Sequence, residues 1–395
     1  MKSQRWVFVD LFRFTAVILM LQGHTFDAFL LNSIKQAEWF QRHHVFIHGF
    51  TSPIFLFSSG LAFGVATFRN WARFTEWSPF VKKRIRRYLL LLAIGYWLHL
   101  AYYSLFKMMT QLTHEQLLFL YQWDALHIIG FTLLASQLLV LVFKKQRHYV
   151  WMIVSAILII ALSTPHLWTM DKHRWPLNIV AFIDKSTGSF FPVFPWSIYL
   201  LFEMLVSWLI QKWQSEYKEK SYKVVTSRLS ALGLVLFVIG KSGIEHWITI
   251  FGTMYDEYVF LVLHNTGVIL WLISLLYLVD HFTIQPYIAK HHDLPKGLRT
   301  LILLGQETLS IYVVHLFIVY GSPLNQSVLA QYRPLLNLWQ SILYFAVLFV
   351  VMLYFAKFWS WFKKSRPEQF RWFQIIGTSI LLFVFLINDW WFHIL

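Results

Sequence analysis

Long apolar segments recur along the whole chain and constrain its fold more strongly than any motif does. Apolar residues make up 57% of the sequence and charged residues 13%, whereas an average soluble domain has about 25% charged residues. An α-helix needs about 20 apolar residues to cross a bilayer, and inside lipid every backbone polar group must be bonded internally. The sequence therefore predicts an all-α, polytopic transmembrane helical bundle of about 11 spans (10–11). The predicted spans are 6–31, 45–68, 88–106, 121–143, 149–163, 190–211, 229–248, 257–280, 300–321, 335–362 and 372–392.

Lysine and arginine are distributed unevenly between the alternate loops. When the basic residues are sorted by side of the predicted spans, 24 fall on the side of the N-terminus and 8 on the other, counting Lys241 near the outer end of the span 229–248. Basic residues concentrate in the cytoplasmic loops of membrane proteins. We therefore predict a cytoplasmic N-terminus and an extracytoplasmic C-terminus. The net charge of +15 then reflects topology, and we expect no nucleic-acid partner.

The predicted loops are short, and the chain contains no cysteine. The longest loop, 164–189, is too short for a soluble domain, so residues 1–395 are predicted to form a single integral membrane domain. The absence of cysteine excludes disulfides, iron–sulfur clusters and thiolate zinc sites. The first apolar segment is too long for the apolar region of a signal peptide, so we expect no cleaved leader.

The first predicted span carries four ionisable residues, Asp10, Arg13, His24 and Asp27. A charged side chain at membrane depth costs at least a few kcal/mol, so this set indicates a function. On a helix, Arg13 and His24 are three turns apart on one face, about 16 Å along the axis. The predicted orientation puts Arg13 towards the cytoplasm and His24 with Asp27 towards the outside. A carboxylate one turn from an imidazole can stabilise its charged form and orient its ring, as a general base requires.

Other histidines have simpler interpretations. His44 and His48 have the i, i+4 spacing of zinc ligands, but the glutamate of a zinc-protease helix does not accompany them, and we predict no metal. Single histidines on apolar helices, such as His99, His264 and His315, are more often structural than catalytic.

Several segments together resemble one family of enzymes. Asp10 and Arg13, followed after ten residues by His24, are similar to the first-helix signature of the acyltransferase 3 family of membrane-bound acyltransferases. Three further segments resemble the same family, and two resemble the related heparan-α-glucosaminide N-acetyltransferase-like proteins. The first three are SPIFLFSSGLAFG (52–64), KKRIRRYLLLL (82–92) and LGQETLSIYVVH (304–315), and the other two are WDALHIIG (123–130) and FPVFPWSIYLL (191–201).

The resemblance implies transfer of an acyl group, commonly acetyl, from a cytoplasmic acyl-CoA to a hydroxyl or amine of an extracytoplasmic glycan or other cell-envelope acceptor. It implies that His24 is the general base, with Asp27 beside it, and that Arg13 binds the donor or stabilises developing charge. Arg84 and Arg87 match an Arg-x-x-Arg pattern that would contact the CoA phosphates. The expected setting is a lipid bilayer, the inner (plasma) membrane of a bacterium.

Two alternatives stay open at this stage. In the glucosaminide enzyme the active histidine precedes the second helix, so His43, His44 or His48 competes with His24 for the role of base. The same polar helix would also suit a transporter of an acyl or glycan unit. No inverted repeat is visible in the sequence to support transport.

Overall fold

The computed structural model describes residues 6–247, 257–322, 325–326 and 333–389. The described chain is helical apart from loops and one short antiparallel pair, β1 (Gly321–Ser322) and β2 (Asn325–Gln326). In chain order the helices are α1 Val7–Phe29, α2 Asn32–Lys35, α3 Glu38–Gly49, α4 Thr51–Arg69, α5 Trp71–Phe74, α6 Pro79–Leu98, α7 Leu105–Thr110, α8 His114–Tyr121, α9 Ala125–Val142, α10 Gln146–Thr169, α11 Leu177–Ile183, α12 Val193–Tyr217, α13 Ser221–Ser242, α14 Glu257–Val279, α15 Gln285–His291, α16 Lys296–Gln306, α17 Thr308–Val319, α18 Leu338–Ser365 and α19 Pro367–Ile387. The predicted all-α class is confirmed.

Among the described residues, eight helical segments are long and apolar enough to cross a membrane, and the bent pair α16–α17 would supply a ninth. A helix overlaps each predicted span. The count of eight or nine is smaller than the predicted 10–11 spans for two reasons. Helices α12 and α13 follow each other within one apolar run of 54 residues, Val193–His246. Helix α6 carries the basic cluster KKRIRR near its start and ends at Leu98, and α7 begins only at Leu105, so the predicted span 88–106 is not one continuous helix.

The described residues form two compact units, each made of several chain segments. The first comprises 1–12, 52–97 and 121–294, and the second comprises 13–51, 98–120 and 295–395. The division falls within α1, after Phe12. The prediction of a single domain over 1–395 stays a prediction.

Small residues allow close helix packing in the first unit. A Cβ atom on Gly60 of α4 would meet the backbone of Leu200 in α12, and one on Gly64 would meet the side chain of Ser207. Glycines four residues apart let membrane helices approach to backbone contact. Helices α13 and α14 meet in the same way, because a Cβ on Gly233 would lie 2.9 Å from the carbonyl oxygen of Gly267.

The start of α1 is bonded to a buried carboxylate in the first unit. The backbone N–H of Phe8 donates to Oδ2 of Asp280 at 3.0 Å, and Gln285 donates to Oδ1 at 2.8 Å. The first N–H groups of a helix have no partner within the helix. Asp280 therefore replaces the water that α1 would lose on burial.

In the second unit, α16 and α17 meet at an angle of 74°. Glu307 lies at the break, buried, and Nζ of Lys363 in α18 donates to its Oε1 at 2.7 Å. Nearby, the end of α1 is bonded to the segment before α18. The N–H of Leu31 donates to the carbonyl of Leu336, whose own N–H donates to the carbonyl of Phe29, both at 2.9 Å.

Candidate active site

Two histidines from different helices of the second unit are hydrogen-bonded to each other. Nδ1 of His24 in α1 lies 2.7 Å from Nε2 of His315 in α17. Their rings are nearly parallel, with centroids 5.0 Å apart. His315 is fully buried, whereas His24 is partly exposed. The pair thus joins the polar face of α1 to the second half of the bent helix pair.

The hydrogen-bond network assigns the protons of this pair. Nδ1 of His315 lies 2.8 Å from the carbonyl oxygen of Ile311, and because a carbonyl only accepts, this nitrogen carries the hydrogen. A neutral His315 therefore has its lone pair on Nε2 and accepts from Nδ1–H of His24. A neutral His24 then has its lone pair on Nε2. That nitrogen is the one able to take up a proton.

Asp27 is bonded to a tyrosine. The hydroxyl of Tyr320, which follows α17, donates to Oδ2 of Asp27 at 3.2 Å, and the Tyr320 ring lies edge-on to His24 with centroids 5.8 Å apart. The hydroxyl is the donor in this bond, because an ionised carboxylate only accepts. The sequence predicted a His24–Asp27 dyad, and the structure links the two residues through Tyr320.

The competing histidines lie on α3. Nδ1 of the exposed His43 donates to the carbonyl oxygen of Trp39, 2.7 Å away in the same helix. The His44 ring stacks on Phe40 with centroids 4.5 Å apart, and burial lowers the pKa of His44. His48 belongs to α3, but its side chain lies outside the described residues.

The predicted donor-binding arginines are placed differently from one another. In the first unit, Nη1 of Arg84 donates to Oγ1 of Thr67 at 2.9 Å and to Oε1 of Gln137 at 3.2 Å, and its guanidinium lies 3.5 Å from the ring centroid of Phe74. Arg87 is exposed on the next turn of α6. These contacts hold the Arg84 guanidinium in one orientation. Its hydrogen bonds to the described residues involve only Nη1, one of its three nitrogens.

Other polar residues that were noted in the sequence have local partners. Arg13 is half-buried on α1, three turns from His24. Asp124 caps α9 by accepting from the N–H groups of Leu126 and His127, and its carboxylate also bonds the His127 ring at 2.8 Å. That arrangement satisfies the start of a buried helix, as a capping residue does.

From the sequence, His315 was predicted to be structural, and Tyr320 was not predicted to lie near His24. One signal was available for His315, because it ends the segment LGQETLSIYVVH. A separation of 291 residues hid the contact itself.

The sequence profile of an acyltransferase domain, that of the acyltransferase 3 family, matches residues 6–361. The chain belongs to the acyltransferase 3 family. No curated protein matches it. The protein is thus a multi-pass membrane acyltransferase, as the resemblance of its motifs predicted. The match includes both histidines of the pair and Arg84, and it ends before α19.

Proposed function

We propose that this acyltransferase moves an acyl group, acetyl from acetyl-CoA on the cytoplasmic side, to a hydroxyl or amine of an extracytoplasmic glycan or similar cell-envelope acceptor. The observation that carries the proposal is the His24–His315 hydrogen bond, which leaves the lone pair of a neutral His24 on Nε2. A histidine that acts as a general base must present an unprotonated ring nitrogen to the proton of the acceptor.

In the proposed reaction, Nε2 of His24 removes the proton of the acceptor as its oxygen or nitrogen attacks the thioester carbonyl. A new bond forms between the acceptor atom and the carbonyl carbon, and the carbon–sulfur bond breaks. The CoA thiolate leaves and is protonated by the imidazolium of His24, so the base is regenerated. While His24 is charged, its Nδ1–H donates more strongly to His315, since a charged donor makes a stronger hydrogen bond.

The remaining predicted residues have proposed supporting roles. Arg13 would bind the pantetheine–phosphate end of the donor or stabilise the developing oxyanion. Arg84 and Arg87 would bind CoA phosphates, for which the planar guanidinium is suited. Asp27 would accept from the Tyr320 hydroxyl and so hold the Tyr320 side chain in place beside the bound acceptor. No step in this proposal uses a metal.

The membrane arrangement is proposed on the same basis. The loop charges support a cytoplasmic N-terminus and an extracytoplasmic C-terminus, and a bacterial inner membrane is proposed from the family resemblance. Helices α12 and α13 have 25 and 22 residues, enough for one crossing each. Counting them separately, with α6 and the bent pair, supports the predicted 10–11 spans.

The test is transfer of label from acetyl-CoA to cell-envelope glycans by wild type and by His24→Ala. We expect the variant to lose transfer by about 10²-fold or more, the usual contribution of a general base. His173→Ala is a matched control, because His173 is an exposed loop histidine bonded to Asp171. The variants His43→Ala, His44→Ala and His48→Ala test the competing bases. Unchanged transfer by His24→Ala would exclude His24 as the base.

Transport of an acyl or glycan unit is the second candidate, and one observation favours it. The pair α16–α17 is bent by 74°, and transporters often bind substrate at broken helices. Release of free CoA thiol by the purified protein, dependent on an acceptor, separates the two candidates. A transporter would release none.

A further inference from the structure

Arg333 lies next to the end of α1 in the second unit. It precedes Leu336, whose backbone is bonded to Phe29 and Leu31. The Arg333 guanidinium carbon lies 5.7 Å from the ring centroid of Phe29 and 5.3 Å from that of Tyr320. Two aromatic rings therefore lie within cation–π distance of the guanidinium.

The guanidinium has donors that the described protein does not use. Nε and Nη2 of Arg333 are buried, and no acceptor among the described residues lies within hydrogen-bond distance of them. The undescribed stretches beside it, 323–324 and 327–332, contain no aspartate or glutamate. Thus neither the described neighbours nor the adjacent sequence supplies a carboxylate to these nitrogens.

Two buried guanidinium donors without an acceptor are unfavourable. Arginine does not lose its proton in proteins, and burying an unpaired charge or donor is costly. The faces of Phe29 and Tyr320 attract the cation, but they do not accept its in-plane N–H groups. An anionic oxygen group satisfies both the charge and these donors, and carboxylate and phosphate fit the planar fork.

Tyr320 connects Arg333 with the candidate active site. Its ring centroid lies 5.3 Å from the guanidinium carbon of Arg333 and 5.8 Å from the ring centroid of His24, and its hydroxyl donates to Asp27. A group bound at Arg333 is therefore close to the atoms that meet the acceptor.

We propose that Arg333 binds an anionic group, a carboxylate or phosphate, of the acceptor, so that the acceptor is an acidic glycan. This inference rests on the proposed acyl transfer to a glycan. The bound anion orients the acceptor so that a neighbouring hydroxyl or amine reaches Nε2 of His24.

The experiment uses the purified full-length protein and three small probes. Methyl β-glucuronide carries a carboxylate, glucose 1-phosphate carries a phosphate, and methyl β-glucoside is the neutral reference. Binding of each probe is measured by calorimetry, and acetyl transfer to each is measured from labelled acetyl-CoA. The two charged probes distinguish a carboxylate-bearing acceptor from a phosphate-bearing one.

We expect the wild type to prefer at least one charged probe over the neutral one by about tenfold or more, because a charge-assisted hydrogen bond is lost with the neutral probe. Arg333→Gln is expected to abolish the preference. Arg333→Lys is expected to keep only part of it, since lysine retains the charge without the fork. Arg42→Gln is the matched control, because Arg42 is an exposed arginine paired with Glu38 in the same unit.

Three outcomes would overturn the inference: no preference in the wild type, a preference that survives in Arg333→Gln, or no binding of either charged probe. If Arg333→Gln does not fold, the test uses Arg333→Lys. A folded Arg333→Lys protein that keeps the full wild-type preference for a charged probe would overturn the proposed bidentate contact. Failure of the proposed function gives a different result, because the wild type would then release no CoA with any probe while charged probes still bind.

Discussion

The bond between His24 and His315 determines which nitrogen of His24 is basic. Ile311 accepts from Nδ1 of His315, so the proton positions follow from one backbone carbonyl and one ring-to-ring contact. In the proposed mechanism, His315 accepts a hydrogen bond from the base and orients it, a role that a carboxylate has in other enzymes. It does so without placing a second charge in the membrane, where charge is costly.

Replacement of His315 is expected to lower kcat by about ten- to a hundredfold with little change in KM, because the acceptor that orients His24 is lost. His315→Gln offers a side-chain oxygen to Nδ1–H of His24 and should recover part of the rate, whereas His315→Leu should not. Steady-state kinetics of acetyl transfer checks this. His264→Gln is the control for removing a membrane histidine. Equal rates in His315→Gln and His315→Leu would contradict a positioning role.

At the scale of helices, glycines determine how closely the pairs pack. Gly60 and Gly64 bring α4 against α12, and Gly233 with Gly267 brings α13 against α14. In lipid, helices associate largely through such close packing, because burial of apolar surface gives little advantage there. The segment SPIFLFSSGLAFG thus has a structural role in the first unit beside its value as a family motif.

Gly60→Ala is expected to destabilise the protein by about 1–3 kcal/mol, the usual effect of overpacking. The added Cβ would meet the Leu200 backbone, which no rotamer change can relieve. Gly377→Ala is the matched control, since nothing lies within 4 Å of a Cβ there, and alanine is favoured in a helix interior. Thermal unfolding in detergent compares the two. A Gly60→Ala protein as stable as the control would refute close α4–α12 packing.

At the scale of the whole molecule, the chain is a multi-pass acyltransferase whose described helices fall into two compact units. The histidine pair and Arg333 belong to the second unit, and Arg84 belongs to the first. The proposed route of the acyl group, from the cytoplasm to the outside, depends on the orientation that the loop charges predict.

Single cysteines can test that orientation, because the natural chain has none. We expect Asp171→Cys to react with a membrane-impermeant maleimide in intact cells, since loop 164–189 is predicted outside. Ser215→Cys should react only after permeabilisation. Ser215 lies near the end of α12, in the stretch 211–228 that is predicted to be cytoplasmic. Both positions are exposed. The reverse pattern would invert the topology and with it the direction of transfer.

Composition and motif order were enough to predict the all-α class, most of the long apolar helices and the family. Apolar length determines whether a segment can enter lipid, and that property is local to the segment. The polar face of α1, with Arg13 three turns from His24, also follows from helix periodicity alone.

The partners of those residues were decided only by tertiary structure. His24 bonds to His315, which is 291 positions away, and Asp27 bonds to Tyr320 rather than lying in a simple dyad. Helix periodicity states which face a residue occupies but not which helix lies opposite. The break between α16 and α17 and the backbone bonds of Leu336 bring Tyr320 and Arg333 to α1. Those contacts depend on long-range packing, which no local pattern encodes.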